Sequence, residues 1–389
     1  MKPKPSSTAP LSDAEAIELA AVSGERLDAL IASAGMCRDL AWGYDLTYSP
    51  KVFLPLTNVC RDHCDYCSFR RSPGDDGEWT MSPDEVLSCL KQASSQGCVE
   101  ALFCLGDSPD VFPSYRNTLA KWGMDDTVDY LFKAAEWALE LGLLPHTNAG
   151  ILTYDQMARL RRVNVSLGLM LENVSPRLCK RGMPHYRAPD KRPERRLAMT
   201  REAGELRIPF TSGLLLGIGE TCLERVETLL AIRELHLAYG HIQEVIIQNF
   251  RAGLKTPMCD AEEPDDDAVV RSVALARLIL PSEVSVQAPP NLNPGVTEKL
   301  IAAGVNDFGG ISPVTPDYIN PGHPWPHIDR LSRQCEASGY VLRPRLPIYD
   351  DYLARPDFMD ASLNPYCLKA RARTEHQPTS GARRAPGPS

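Results

Sequence analysis

Short apolar runs recur along the chain at 52–56, 99–105, 143–147, 164–171, 210–217, 244–250, 283–288 and 305–310. Each is rich in Val, Leu, Ile or Phe and reads as a buried strand. The gaps between them hold helical patterns at 82–97, 125–142, 153–162, 190–207, 221–239, 265–280 and 294–303. The helix at 82 carries a capping box, Ser82 with Glu85, and Pro83 in its first turn. Strand, helix, strand in this order is the βαβ arrangement of a parallel sheet with right-handed crossovers. Eight such strands suit an α/β fold of the (β/α)8 TIM-barrel type. A doubly wound open sheet would alternate in the same way, so closure is an expectation here.

The repeat divides the chain. Residues 1–45 read as a mobile Pro/Ser-rich start, then one helix from a Ser12–Glu15 capping box to about Trp42. Residues 46–345 hold the barrel, with a Pro-rich stretch after 311 and a helix near 328–338. Residues 346–389 form a C-terminal extension that ends in a polar tail of disordered composition, "EHQPTSGARRAPGPS".

Composition narrows the class. The 389 residues are 43% hydrophobic and 24% charged, with a formal net charge of −8. That balance disfavours nucleic acid or an anionic membrane as the main partner. No apolar run reaches the roughly 18 residues of a membrane span, and no secretory leader is visible. Nine of the 12 cysteines are scattered, which reads as reduced thiols in a cytoplasmic protein.

The other three, Cys60, Cys64 and Cys67, fall within "NVCRDHCDYCSFRR". A zinc site would want a fourth ligand, and His63, the nearest candidate, lies between two of the cysteines. A ferredoxin cluster would want a fourth cysteine, and none continues the run. Three buried structural thiols are the plainest alternative. The spacing C-x3-C-x2-C with an aromatic before the last cysteine resembles that of the radical S-adenosylmethionine superfamily. The resemblance implies one 4Fe-4S cluster with Cys60, Cys64 and Cys67 as ligands and one iron open to S-adenosylmethionine. It also implies contacts to that molecule from Tyr66 at the adenine, Gly106 and Asp107 at the methionine amino group, and Arg196 at its carboxylate. Gly217 and Gly219, in "GLLLGIGE", would support the adenine, and Glu172 is a further cofactor candidate. A turn, a packing bulge and a solvated helix arginine are the structural alternatives for these stretches.

Further stretches in order, among them "LPHTNAGIL", "SLGLMLENVSPRL", "IQEVIIQNFRA" and "NDFGGISPVTPDYINPGHPWP", resemble the ring-closing branch of the deazaflavin-synthase family. "RAGLKTPM" departs from that family's Lys-Pro-Gly order in one loop. The resemblance implies radical ring closure, with loss of ammonia, of an adduct between tyrosine's 4-hydroxybenzyl group and 5-amino-6-ribitylaminouracil. It implies a small-molecule substrate supplied by a sister radical S-adenosylmethionine subunit, with reduced flavodoxin or ferredoxin as electron donor. Strand ends offer catalytic candidates His146, Glu172 and Asn249, with His146 as proton carrier. Thr147, Asn148, Asn173, Gln248, Asn293 and Asp307 are expected to line the same pocket, and Asp317 and Tyr318 to close its mouth. The rival readings are the sister subunit that couples tyrosine to the pyrimidine, a biotin-synthase-like relative, and a non-catalytic iron–sulfur or zinc-binding protein.

Overall fold

Nine parallel strands frame the computed structural model, which describes residues 9–375. They are β1 (Asp45–Leu54), β2 (Glu100–Cys104), β3 (Leu144–Asn148), β4 (Ser166–Gly168), β5 (Phe210–Leu216), β6 (Ile242–Asn249), β7 (Ser285–Gln287), β8 (Asp307–Ile311) and β9 (Val341–Pro344). β1 pairs with β2 along Lys51–Leu54 and with β8 along Thr47–Pro50, so the first eight strands close into a barrel. The open-sheet alternative is thereby excluded. All seven residues of β5 are buried, as expected of a parallel strand covered inside by the barrel and outside by helices.

The core fills the layer between strands and helices in two halves. One packs β1–β4 against the helices Pro83–Ser95 and Thr127–Glu140. The other packs β5–β8 against Cys222–Tyr239 and Asp266–Ile279. The Ser82–Glu85 capping box is present, and equivalent boxes start the helices at Tyr154 and Cys222.

Three features differ from the sequence expectation. The helix expected from 12 to 42 is two helices, Asp13–Leu19 and Glu25–Trp42. They are separated at Gly24, whose φ of 57° suits glycine. A helix Pro113–Lys121 occupies part of the second crossover. β9 adds to the barrel by pairing with the first four residues of β1. The chain after β9 then tucks beneath the barrel, where the Arg345 guanidinium donates to Glu244 and Asp307, each at 2.6 Å. Tyr349 Oη donates to Glu244 and is hydrogen-bonded to the Ser285 hydroxyl beside it. Most of the expected mobile ends, 1–8 and 376–389, lie outside the described residues.

Candidate active site

The cysteine loop leaves the C-terminal end of β1, the end at which barrel enzymes place their chemistry. It is pinned by Asn58, which donates to the Gly77 carbonyl and accepts from the Trp79 amide. The Arg71 guanidinium gathers the carbonyls of Ser68 and Arg70. Cys60 and Cys64 are buried and Cys67 is half-buried, and all three line a cavity of about 320 Å³. Burial pushes the Cys60 thiol up to about 12 and Cys64 well above its ordinary value. Soft thiols so placed ionise when a metal centre supplies the compensating charge.

Gly106, after β2, has no room for a side chain. A Cβ there would stand 2.1 Å from the Val59 carbonyl oxygen and 2.8 Å from Cys60 Cβ. This approach lets the Asp107 amide donate to Cys60 Sγ at 3.1 Å. The fit to an iron–sulfur centre is therefore in the donor set: three thiols facing one cavity, one already accepting a backbone N–H. Among the described residues, only Asp62, Asp107 and Asp190 bring three His, Cys, Asp or Glu ligand atoms within 4.8 Å of one another. The three sulfurs stand wider than a single ion needs. His63 is absent from the cavity wall, and its backbone amide donates to Arg187.

The other expected cofactor residues divide. Asp107 accepts from the Ile151 amide at 3.0 Å and faces Arg196 at 3.6 Å. Gly150 leaves space for it, since a Cβ there would lie 2.3 Å from the Asp107 carboxyl carbon. Arg196 is 3% exposed rather than solvated, and donates to the carbonyls of Met170 at 2.7 Å and Asp190 at 3.0 Å. Glu172 adopts a left-handed φ of 64° and accepts from Lys191 Nζ at 2.5 Å. Tyr66 is on the wall, its hydroxyl 3.0 Å from His185 Nε2. Gly217 and Gly219 are off the wall. Gly217, at φ 89°, clears Pro264 and donates to Glu220, while Gly219 lies nearest Met183.

The substrate candidates divide likewise. Asn148, Glu172, Gln248, Asn249 and Asp317 line the cavity. Asn249 also accepts from the Asn293 amide, which stands behind it. His146 lies deeper in the barrel, 2.6 Å from the Ser166 hydroxyl, and burial lowers its pKa to about 4. A neutral imidazole off the wall is not placed to carry protons to a ligand there. Thr147 is bonded to Asn164, Asn173 to the Ser175 amide, and Asp307 to Arg345, all away from the cavity. Tyr318 stacks between Phe53 and Trp79, outside the wall. Sequence reasoning missed Lys51, Lys191, Gln287, Asn291 and Trp325, all of which line the cavity. A period-two reading of β1 carries a signal for Lys51, because it shares a face with Phe53.

A closed (β/α)8 barrel with three local cysteines at the exit of its first strand defines a radical S-adenosylmethionine enzyme, and residues 54–232 match the Radical SAM superfamily. The 7,8-didemethyl-8-hydroxy-5-deazariboflavin synthase of Methanopyrus kandleri is 47% identical over 312 residues, 80% of this chain and 93% of that protein. Its counterpart from Methanoregula boonei is 48% identical over 328 residues, 84% and 96% of the two chains. The chain belongs to the 7,8-didemethyl-8-hydroxy-5-deazariboflavin synthase family. The longer FO synthase of Streptomyces coelicolor is 44% identical over 369 residues, 92% of this chain and 43% of that one. Among solved structures, the FeFe-hydrogenase maturase HydG from Carboxydothermus hydrogenoformans superposes with a TM-score of 0.72 at 19% identity, over 93% of this chain and 82% of that one. Methylornithine synthase superposes at 0.67 and 17%, over 86% and 94%. These likenesses concern the fold. Family membership implies a 4Fe-4S cluster and S-adenosylmethionine. Among the described residues no helix is long and apolar enough to cross a membrane.

Proposed function

We propose that this chain closes the deazaflavin ring. It would convert the 5-amino-5-(4-hydroxybenzyl)-6-(ribitylimino)-dihydrouracil adduct to 7,8-didemethyl-8-hydroxy-5-deazariboflavin with release of ammonia, as an ammonia-lyase. The observation that carries this reading is one cavity whose wall holds the three cysteines together with the polar side chains of Asn148, Glu172, Gln248 and Asn249. Phe53 and Trp325 form part of its wall. Such a wall suits a substrate that combines a phenol, a pyrimidinedione and a polyhydroxyl chain.

Cys60, Cys64 and Cys67 would hold the cluster. When bound and reduced, it supplies the electron that cleaves S-adenosylmethionine to methionine and the 5′-deoxyadenosyl radical that abstracts a substrate hydrogen atom. The protein's own part is to bind, orient and exclude water. Asp107 offers an acceptor to the methionine ammonium, and Arg196, rigidly anchored, a donor to its carboxylate. Tyr66 and Leu215 offer apolar surface to the adenine. Glu172, oriented by Lys191, and Asn249, oriented by Asn293, face the cavity as acceptor and amide for hydroxyls. The sister subunit would supply the adduct, and reduced flavodoxin or ferredoxin the electron.

The test is anaerobic reconstitution of the cluster, reduction, and addition of S-adenosylmethionine with the adduct. Deazaflavin fluorescence and 5′-deoxyadenosine are expected, both lost in Cys60→Ala. Product formed from free tyrosine and 5-amino-6-ribitylaminouracil, and not from the adduct, would assign the coupling reaction instead.

A further inference from the structure

Two buried polar side chains on the cavity wall donate and accept no hydrogen bond among the described residues of the protein. Lys51 on β1 and Gln287 on β7 are each 8% exposed, and both line the cavity. Among the described residues neither side chain has a hydrogen-bond partner, and Lys51 makes no ion pair. Both face the cavity, so a ligand there can take up hydrogen-bonding capacity that the protein itself leaves open.

The room for both comes from the strand between them. β8 pairs with β1 on one side and β7 on the other. At positions 309 and 310 it carries glycine twice, so no side chain separates its neighbours. A Cβ on Gly310 would lie 2.1 Å from Lys51 Cδ, and one on Gly309 would lie 2.1 Å from Gln287 Nε2. Gly309 also has a φ of 69°, which other residues rarely adopt. Each glycine thus clears the space that one side chain occupies, Lys51 over Gly310 and Gln287 over Gly309, and both side chains reach the same cavity. Lys51 Nζ sits 4.9 Å from the Trp325 ring centroid and 5.4 Å from that of Phe53, so the pair opens onto flat aromatic surface. Asn291 adds a buried Oδ1 without a partner to the same wall.

A carboxylate would be a poor occupant. Glu100 and Asp317 already act electrostatically on Lys51, and the Gln287 carbonyl would face a second acceptor. A planar ring with a carbonyl, an N–H and a second carbonyl in a row matches better, because it needs donors and an acceptor together. We propose that Lys51 and Gln287, seated over Gly310 and Gly309 on the wall of one cavity, are the specificity-determining pair that binds the cyclic imide edge of the substrate's pyrimidinedione. Lys51 donates to one carbonyl, and Gln287 accepts from the imide N–H and donates to an imide oxygen. The inference rests on the deazaflavin reading above and adds to it the residues that read the heterocycle.

The test titrates the reconstituted holoenzyme with the product deazaflavin, followed by its fluorescence, and with the same molecule methylated on the imide nitrogen. Methylation is expected to weaken binding to the unaltered protein about tenfold or more. Lys51→Met and Gln287→Leu should each weaken the parent ligand by a similar factor, with melting temperatures equal to or above that of the unaltered protein. In Gln287→Leu, methylation should cost little more. Gly310→Ala should reproduce the loss seen in Lys51→Met, and adding it to Lys51→Met should cause no further loss. If the unaltered protein turns over the adduct yet ignores methylation, and both variants bind normally, the imide assignment falls while the ring-closing reading stands. If the unaltered protein neither binds deazaflavin nor turns over the adduct, the reading itself falls. Loss of tyrosine-dependent turnover in Lys51→Met with deazaflavin binding intact would make the pair a carboxylate site and overturn the proposal.

Discussion

At the residue scale the cysteine site depends on an atom that is missing. A Cβ on Gly106 would meet the Val59 carbonyl, which is backbone and cannot rotate aside. Gly106→Ala must therefore push the Cys60 loop away from β2 and lengthen the Asp107 N–H···Sγ bond. A displacement of this kind typically costs about 1–3 kcal/mol. Iron content after reconstitution should fall several-fold, with a lower melting temperature. A fully loaded Gly106→Ala protein with unchanged melting would show that the close approach is dispensable. The three cysteines were legible in the sequence because their spacing is local. Lys51 left only the faint signal of sharing a face of β1 with Phe53, because the room for its side chain comes from Gly310, far along the chain. Arg196 was legible only through resemblance, since a helix arginine looks solvated until Met170 and Asp190 are folded around it.

At the scale of elements the barrel strands stood out where both faces are buried and the sequence runs apolar, as in β5 and much of β6. Closure did not, since an open sheet has the same alternation. The short edge strand β9 was also hidden: its alternating exposure leaves a weak pattern, and its main effect is to deliver Arg345 to the barrel floor. Arg345, just past β9, is the counter-charge there for Glu244 and Asp307, and all three are buried or nearly so. Arg345→Met removes the cation and leaves two carboxylates facing each other in a dry interior. Breaking a buried pair from one side typically costs about 3–5 kcal/mol. Chemical denaturation should show a loss of this size, partly restored in Arg345→Met/Asp307→Asn. A loss below about 1 kcal/mol would mean the floor is wet enough to screen the charges.

At the scale of the whole molecule, two sets of buried groups oppose one another as pH falls. Burial holds His146 at about 4, His241 at about 3 and His185 well below its ordinary value, so all three stay neutral in the fold. In the unfolded chain they take up protons near pH 6.5. Below that pH the unfolded state binds more protons through these groups, so their contribution is full above 6.5 and falls with pH. Burial also raises Asp62 to about 6 and pushes Asp107 and Glu244 upward. For these acids the folded state holds the extra proton, so their contribution falls as pH rises through the same window. The overall stability curve is therefore flatter between pH 4 and 6.5 than either set alone would make it, and a single acid titration would hide both. The difference between the unaltered protein and His146→Gln isolates one member, because Gln can still bond the Ser166 hydroxyl. That difference should shift against the unaltered protein by about 3 kcal/mol as pH drops from 6.5 to 4, and stay constant above 7. Denaturant titrations of the two proteins at a series of pH values measure it. A difference independent of pH would mean that the imidazole at position 146 takes up its proton in the fold as readily as in the unfolded chain, as a solvated group does.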